Sequence, residues 1–379
     1  MKILALSIVL FAFLAPLPVY AQSVAPIETA AKQACVIDAN TDTLLFQKNG
    51  DEHMPTSSMS KMMTLYLTFQ ALKEGKLHLN DSLTVSEHAW KQPGSRTFLN
   101  IGQKVPVEDL IRGVIVQSGN DAAVTLAEGL GGSEDNFATM MNAEAARLGM
   151  DNSHFVNATG LPDPDHYSTA CDLVKLADAL IKDFPQYYHY FSELTFTFNG
   201  IKQGNRNPML YHPELGVDGL KTGHTEIGGY GLTASALRHG RRLILVVNGL
   251  DSMQAREDEP AKLLDWGYRE FGLYPIVKAG QDLAEAKVWL GHARDVPLLA
   301  ATSLEITLPR SARAELKTSV SFQQPVPAPI EKGQQLGTLT VSAPGMADKT
   351  VALVAGASVP RLGFFASLKA KLRYLLTKS

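Results

Sequence analysis

The sequence predicts an α+β protein in which helices cover an antiparallel sheet and form a helical subdomain beside it. Strand-like runs occur towards both ends of residues 22–274 and enclose a block of helical patterns. Residues 275–359 contain short Val, Ile, Leu and Thr runs separated by Pro, Gly and Asp, which predicts a small all-β domain. Residues 360–379 combine an apolar stripe with positive charge, which predicts a C-terminal amphipathic helix.

Length, composition and charge limit the possible functions. The chain has 379 residues, 45% of them hydrophobic and 19% charged, which is typical of a globular protein of two or three domains. The 35 Lys and Arg residues against 38 Asp and Glu residues give a formal net charge of -3. Because phosphate-backbone binding depends on a basic surplus, we expect no nucleic-acid partner.

The chain has two cysteines, Cys35 and Cys171, without a CxxC motif or a Cys/His cluster. This pattern argues against a structural zinc site and against a redox dithiol. Outside the cytoplasm the two thiols could form a disulfide, whereas two small buried apolar residues would explain the pattern equally well. The sequence leaves both alternatives open.

The N-terminal segment carries the features of a secretory signal peptide. Lys2 precedes the apolar run Ile3–Ala15, and Val19-Tyr20-Ala21 fits a signal-peptidase site. An uncleaved anchor helix is the alternative, but it needs about 20 apolar residues. Because Pro16 and Pro18 interrupt the run, we predict that residues 1–21 are a signal peptide and that the protein is exported.

Residues 22–274 are predicted to form the first domain. It begins with a hairpin of Gln33–Asp38 and Thr43–Lys48. Apolar residues at three- and four-residue steps then predict a helix over Ser58–Leu72. The further predicted elements are helices near Val107–Val116, Asp121–Gly129, Glu134–Leu148, Ala170–Ile181 and Glu257–Phe271, and strands over Gly219–Thr222, Tyr230–Leu237 and Arg242–Gly249.

Residues 275–359 are predicted to form the all-β domain. No nucleophile with a partnered base stands out in this segment, so we interpret it as a spacer or docking module. Its predicted strands are Lys287–Leu290, Val296–Ala300, Ser303–Leu308, Leu316–Ser321, Gly337–Val341 and Lys349–Val354.

Residues 360–379 are predicted to bind a membrane surface. Such a helix places its apolar face in the acyl boundary and its cations on anionic lipid headgroups. The alternative is a terminal helix packed on its own domain. The apolar stripe consists of Leu362, Phe365, Leu368, Leu372, Leu375 and Leu376, and the cations are Arg361, Lys369, Lys371, Arg373 and Lys378.

Ser58 and Lys61 form a candidate catalytic pair. A serine three residues before a lysine at the start of a helix places both side chains on one face. A serine hydroxyl becomes a nucleophile when a base takes its proton, and a lysine with a depressed pKa can be that base. Alone, the same spacing is also typical of a helix N-cap followed by a solvated lysine.

Two further motifs follow in the chain. Ser118-Gly119-Asn120 begins 60 residues after Ser58 and offers a second hydroxyl and an amide. Lys221-Thr222-Gly223 follows 103 residues later on a predicted strand, where a cation and a hydroxyl can bind a carboxylate and the glycine lets substrate backbone approach. The three motifs, in this order, are the known signature of penicillin-binding proteins and class A β-lactamases.

The chain resembles the low-molecular-mass penicillin-binding proteins, which are serine-type D-alanyl-D-alanine carboxypeptidases. This resemblance implies a transpeptidase-like catalytic domain, a β-rich stalk and a tail on the outer face of the cytoplasmic membrane. It extends beyond the three motifs to Pro55–Thr64, Asp121-Ala122, His166–Thr169, Asn205–Asn207, Val217–Thr225, Arg256-Glu257, Lys262–Gly267, the β-domain and the tail.

Two features of the chain refine the resemblance. Cys171 stands where relatives usually have an aromatic residue, which affects packing and no catalytic role. Residues 166–172 contain no glutamate that could activate a deacylating water, so the class A β-lactamase function is disfavoured.

The resemblance assigns catalytic roles to five residues. Ser58 is the nucleophile that forms an acyl-enzyme, and Lys61 is its general base. Ser118 and Lys221 assist proton transfer to the leaving amine, and Asn120 orients the substrate amide. Backbone N–H groups, including that of Ser58, form the oxyanion hole.

A second set of residues is expected to bind substrate. Thr222, with Arg206 or Arg256, would hold the terminal carboxylate through charge-assisted hydrogen bonds, and Gly223 and His224 belong to the same binding strand. The expected substrates are peptidoglycan stem peptides ending in D-Ala-D-Ala, and the expected inhibitors are β-lactams. No metal or organic cofactor is required, and the reaction belongs to cell-wall maturation and cell shape.

Two other functions are compatible with the same scaffold. A D,D-endopeptidase would cleave crosslinks instead of releasing terminal D-alanine, and the width of the substrate pocket distinguishes the two. A non-catalytic wall-binding protein would keep the fold without turnover. The presence of Ser58, Lys61, Ser118 and Lys221 argues against it, because binding alone does not require an activated nucleophile.

Overall fold

A computed structural model describes residues 24–377 of the chain. The predicted signal peptide, residues 1–21, lies outside these residues. The helices are α1 (Lys61–Lys73), α2 (Glu87–Trp90), α3 (Val107–Val116), α4 (Asn120–Gly131), α5 (Glu134–Arg147), α6 (Ala170–Asp183), α7 (Pro185–Tyr188), α8 (Met253–Glu270) and α9 (Phe364–Thr377).

Within residues 24–377 the strands fall into one five-stranded sheet, one six-stranded sheet and three two-stranded ribbons. They are β1 (Gln33–Asp38), β2 (Thr43–Lys48), β3 (Ser82–Thr84), β4 (Lys104–Pro106), β5 (Thr195–Phe198), β6 (Ile201–Gly204), β7 (Val217–Thr225), β8 (Gly229–Arg238), β9 (Arg241–Leu250), β10 (Phe271–Val277), β11 (Asp282–Trp289), β12 (Asp295–Ala300), β13 (Leu304–Pro309), β14 (Lys317–Phe322), β15 (Val326–Pro327), β16 (Gln335–Ser342) and β17 (Lys349–Ala355).

The five-stranded sheet organises the first part of the chain. Its order is β2-β1-β9-β8-β7 and all its pairings are antiparallel, so β7 has one free edge. Side chains of β9 alternate between two cores: Leu243, Leu245 and Val247 pack with α8, whereas Ile244 and Val246 pack with the helical block. The predicted antiparallel sheet covered by helices is therefore confirmed, and both of its faces are buried.

The helix that follows Ser58 begins later than predicted. Residues Ser57–Ser60 form a 3₁₀ turn, and the α-helix α1 begins only at Lys61. Side chains at i and i+3 eclipse one another in a 3₁₀ turn, so the turn brings Ser58 and Lys61 together more directly than an α-helix would. The helix is also buried on nearly every side, because α4, α5 and α6 all pack around it.

Helix α8 was predicted too short at its start. It begins at Met253, four residues before the predicted Glu257, and the Ser252 hydroxyl caps it by accepting a hydrogen bond from the Ala255 N–H at 3.0 Å. It ends at Glu270, and Phe271 already belongs to β10, which pairs with β13. The ribbons β3–β4 and β5–β6 were not predicted, since strands of three or four residues show too little alternation.

The all-β prediction for the C-terminal part is confirmed. A six-stranded sheet of order β14-β16-β17-β12-β11-β15 and the β10–β13 ribbon enclose a separate apolar core. The buried Asp38 carboxylate joins the two parts: it accepts hydrogen bonds from the Arg241 guanidinium at 2.6 Å and from the Thr307 hydroxyl at 2.8 Å. The division at residue 274 stays a prediction.

Five apolar side chains of helix α9 are exposed. Phe364, Phe365, Leu368, Leu372 and Leu376 are all largely exposed in the described chain. Among residues 24–377, no helix combines the length and hydropathy needed to cross a bilayer.

A disulfide joins Cys35 on β1 to Cys171 at the start of α6, which settles the alternative that the sequence left open. The bond closes a loop with a sequence separation of 136 residues and fixes α6 against the sheet. Because a crosslink limits the conformational freedom of the unfolded chain more as the loop grows, this bond stabilises the fold by roughly 2–5 kcal/mol.

We therefore expect the double substitution Cys35→Ala and Cys171→Ala to lower the free energy of unfolding by roughly 2–5 kcal/mol. Equilibrium urea unfolding followed by circular dichroism measures the change, with the parent protein under reducing conditions as the comparison. An unfolding midpoint equal to that of the oxidised parent would contradict the stabilising role of the bond.

Candidate active site

Ser58 and Lys61 lie at the centre of the site. The Lys61 Nζ atom is 2.9 Å from the Ser58 Oγ atom and donates to the Thr159 carbonyl oxygen at 2.7 Å. Lys61 is completely buried, whereas Ser58 is half-buried and lines an open cavity. A base and a nucleophile are therefore within hydrogen-bond distance, and the nucleophile is accessible.

The surroundings of Lys61 favour its neutral form. Burial is the main cause that lowers the pKa of Lys61 to about 7; the Arg206 guanidinium contributes to this shift and Asp121 opposes it. A neutral amine has one lone pair and two N–H donors. When one N–H bonds the Thr159 carbonyl, the lone pair is free to accept the Ser58 hydroxyl proton. The geometry is that of a general base poised at neutral pH.

Ser118 and Gly119 lie in the connection between α3 and α4, and Asn120 is the first residue of α4. The Ser118 hydroxyl is buried in the described structure and has no hydrogen-bond partner there. Asn120 donates through its side-chain amide to the Pro93 carbonyl at 2.6 Å. The Asp121 carboxylate accepts from the backbone N–H groups of Thr97 and Leu99, at 2.8 and 3.1 Å, and so fixes the neighbouring loop.

The Lys221 motif lies on the edge strand β7. Lys221 is 2% exposed, and its Nζ atom donates to the Thr222 carbonyl at 3.3 Å. Burial lowers the pKa of Lys221 well below its ordinary value, and the positive charges of Lys61, Arg206 and Arg256 lower it further. Because these positive charges repel one another, each of them makes it less favourable for its neighbours to be protonated.

Gly223 is required by packing against the turn that contains Ser58. A side-chain Cβ atom at this position would come within 2.9 Å of the Thr56 carbonyl oxygen. Any larger residue would push β7 away from residues 57–60, so the glycine brings the edge strand next to the nucleophile.

Two arginines enter the site from outside the sheet. Burial lowers the pKa of both Arg206 and Arg256. The Arg206 guanidinium donates to the Ser95 hydroxyl, and Arg256 lies over the ring of Tyr230, 5.4 Å from its centroid. The Arg256 Nε atom is buried without a hydrogen-bond partner in residues 24–377. The pair provides positive charge and free donors, which suit a carboxylate.

All ten predicted site residues converge on one place. Lys61, Asn120 and Lys221 are buried around an open cavity of about 380 Å³. The residues that line this cavity are Ser58, Gly94, Ser95, Ser118, Arg206, Thr222, Gly223, His224 and Arg256.

Several further residues contribute to the site and were not predicted from the sequence. Gly94 and Ser95 line the cavity, and Asp121 and the Thr159 carbonyl hold its parts in place. The turn-like run Pro93-Gly94-Ser95 was a usable signal for a loop. A backbone carbonyl such as that of Thr159 leaves no sequence signal at all.

Comparisons with known proteins identify the family to which the chain belongs. The family profile described as D-alanyl-D-alanine carboxypeptidase, Peptidase S11, matches residues 20–252, and that of the penicillin-binding protein 5 C-terminal domain matches residues 271–361. The D-alanyl-D-alanine carboxypeptidase DacA of Haemophilus influenzae is 38% identical over 350 residues, which cover 91% of this chain and 89% of that protein. DacA of Escherichia coli K12 is 38% identical over 345 residues, covering 89% and 86%.

A solved structure shows the same architecture. Penicillin-binding protein 5 from Haemophilus influenzae superposes with a TM-score of 0.80 at 38% identity, covering 89% of this chain and all of that chain. The predicted resemblance and the predicted fold are thereby confirmed. The chain belongs to the D-alanyl-D-alanine carboxypeptidase family, whose members are serine hydrolases.

Proposed function

We propose that the protein removes the terminal D-alanine of peptidoglycan stem peptides through an acyl-enzyme on Ser58. The observation that carries this proposal is the 2.9 Å contact between Ser58 and Lys61, whose pKa is about 7. Lys61 takes the hydroxyl proton while the Ser58 oxygen attacks the carbonyl of the penultimate D-alanine. The backbone N–H of Ser58, together with a second backbone N–H, stabilises the resulting oxyanion.

The leaving amine requires a proton when the tetrahedral intermediate collapses. Ser118 is suited to pass it on, because its buried hydroxyl is without a partner in the described chain. Lys221 is also buried, and the positive charge of Lys61 lowers its pKa. Asn120 is held by the Pro93 carbonyl and orients the substrate amide. Water then hydrolyses the ester, with the Lys61 amine again as the base.

A carboxypeptidase, unlike an endopeptidase, must bind the free C-terminal carboxylate of its substrate. Arg206 and Arg256 face the same cavity as the Thr222 hydroxyl, and each has capacity for an anion. The edge strand β7 accommodates the peptide backbone by strand addition, with Gly223 and His224 alongside. A carboxylate bound here places the scissile amide towards Ser58.

The remaining parts of the chain are assigned to export and to attachment of the enzyme at the membrane. We assign residues 1–21 to export, residues 275–359 to a spacer that carries no catalytic group, and the tail to the outer face of the cytoplasmic membrane. The exposed fractions of Phe364, Phe365 and Leu376 are 76%, 83% and 75%, which favours insertion of that face into a lipid interface. The cations of the tail then contact anionic headgroups.

We expect the purified protein to release D-alanine from a pentapeptide ending in D-Ala-D-Ala, and Ser58→Ala to abolish that release. A β-lactam presents a strained amide to the same nucleophile. The similar protein from Haemophilus influenzae is named as a penicillin-binding protein. Mass spectrometry of the β-lactam-treated protein should therefore find the adduct on the peptide that contains Ser58. An adduct on another peptide would refute the assignment of the nucleophile. Cleavage of crosslinked dimers without release of D-alanine would instead indicate an endopeptidase.

Replacement of Lys61 by Ala should slow β-lactam acylation about 10²- to 10⁴-fold, because general base assistance is lost. In the parent protein the acylation rate should rise with pH through about 7, since Lys61 acts only after losing its proton. Stopped-flow acylation over a pH series measures both. Lys76→Ala removes a lysine that is exposed and paired with Glu74, and it should behave as the parent does. A Lys61→Ala protein acylated at the parent rate would assign the base to another residue.

A chain that ends at Val359 should remain in solution and still release D-alanine from small peptides. The full-length protein should sediment with vesicles that contain phosphatidylglycerol, and added salt should weaken this binding because it screens the cations. Leu372→Glu in the full-length chain should reduce binding without shortening the helix. Equal binding by the truncated and full-length proteins would show that the anchor lies elsewhere.

A further inference from the structure

His166 links the turn that contains Ser58 to the segment whose Thr159 carbonyl accepts a hydrogen bond from Lys61. Its ring is 5% exposed, and its Nε2 atom is 2.7 Å from the hydroxyl of Ser60, a residue of the same 3₁₀ turn as Ser58. Its Nδ1 atom accepts the backbone N–H of Val156 at 3.2 Å. The ring therefore lies between Val156 and the turn of residues 57–60, which we call the nucleophile turn. His166 and Val156 both belong to the segment of residues 154–168, which we call the carbonyl segment because it supplies the Thr159 carbonyl.

The hydrogen-bond pattern fixes the proton on the ring. Because Nδ1 accepts the Val156 N–H, the ring proton resides on Nε2 and is donated to the Ser60 oxygen. The Ser60 hydroxyl in turn donates to the Thr56 hydroxyl at 2.5 Å. Burial lowers the pKa of His166 to about 4, with Asp163 opposing the shift and His154 and Lys61 adding to it. The ring is neutral at neutral pH and can serve both bonds.

The carbonyl segment must lie close to the nucleophile turn. A Cβ atom on Gly160 would come within 1.8 Å of the Ser57 carbonyl oxygen, so only glycine permits the approach. The Thr64 hydroxyl donates to the Ala158 carbonyl at 2.8 Å from the next turn of α1. The Thr159 carbonyl then receives the Lys61 amine. Its position decides where the lone pair of that amine points.

We propose that His166 is a positioning residue for the catalytic base: it holds the carbonyl segment on the nucleophile turn, so that the Thr159 carbonyl directs the Lys61 lone pair at Ser58. The inference rests on the proposed acyl-enzyme function. His166 does not line the cavity of about 380 Å³ that contains Ser58; it borders a second cavity of about 610 Å³, together with Ser57 and Gly160. It acts through Ser60 on one side and Val156 on the other. Loss of its two hydrogen bonds would let the segment move and admit water to Lys61.

The test compares two substitutions of His166. Glutamine can donate to Ser60 and accept from Val156, so His166→Gln should acylate within about twofold of the parent. His166→Phe keeps a ring of similar size and forms neither bond. Its acylation rate should fall about tenfold, equivalent to the loss of one net hydrogen bond. The midpoint of its acylation pH profile should also rise above 7, because burial is the main cause of the low pKa of Lys61.

A control and a second route complete the experiment. His53→Phe changes an exposed histidine that stacks on Tyr167 at 4.1 Å, beside the same segment, and should leave the rate and the midpoint unchanged. Ser60→Ala removes the hydrogen bond from its other end and should reproduce the effect of His166→Phe. If the His166→Phe protein does not fold, the Ser60→Ala protein provides the test by itself. In the double variant the two losses should not add.

Three results would overturn the inference: a parent-like His166→Phe protein, a His166→Gln protein as slow as His166→Phe, or a slow protein whose pH midpoint stays at that of the parent. The last would show that the histidine only stabilises the fold. Failure of the parent itself to be acylated at Ser58 would instead refute the proposed function, so the two failures are distinguishable.

Discussion

The burial of one lysine is the constraint on which the rest of the site depends. An amine that is to accept a proton at neutral pH must lose most of its hydration, and Lys61 does so by lying wholly inside the protein. That requirement explains why α1, which carries it, is buried on nearly every side. A surface helix with one apolar stripe could present a serine, but it could not keep the lysine three residues later dehydrated.

Dehydration alone would leave the amine without direction. Three separate segments meet around it: the turn with Ser58, the connection with Ser118, and the edge strand with Lys221. Gly160 lets the carbonyl segment pack on this turn, Asp121 ties the connection to the loop at Thr97, and Gly223 lets β7 pack on the turn. The site is therefore a product of close backbone packing, and the catalytic side chains occupy positions that this packing defines.

The sequence predicted the parts of this arrangement that depend on side-chain type and local period. Motif order predicted the residues of the three motifs, and apolar spacing predicted most element positions and the antiparallel sheet. Arg206, His224 and Arg256 were assigned only through the resemblance to a known family. The 3₁₀ geometry of Ser57–Ser60 could not be predicted, because packing between β7 and the carbonyl segment imposes it over the local helical preference. Contacts through backbone carbonyls, such as Thr159 with Lys61, were equally out of reach. The Cys35–Cys171 bond required knowledge of how β1 and α6 approach each other.

The positive charges around the site influence the protonation state of Lys61 during the proposed cycle. Lys61, Lys221, Arg206 and Arg256 act on one another in and around a cavity of about 380 Å³, and this repulsion favours loss of a proton from the lysines. In the proposed cycle, a substrate carboxylate held by Arg206 and Arg256 offsets part of this repulsion, which stabilises the protonated Lys61 once it has taken the Ser58 proton. A proton taken from Ser58 is thus retained near the leaving amine. When D-alanine departs with its carboxylate, the repulsion returns and again favours a neutral Lys61, which is the form needed to activate water.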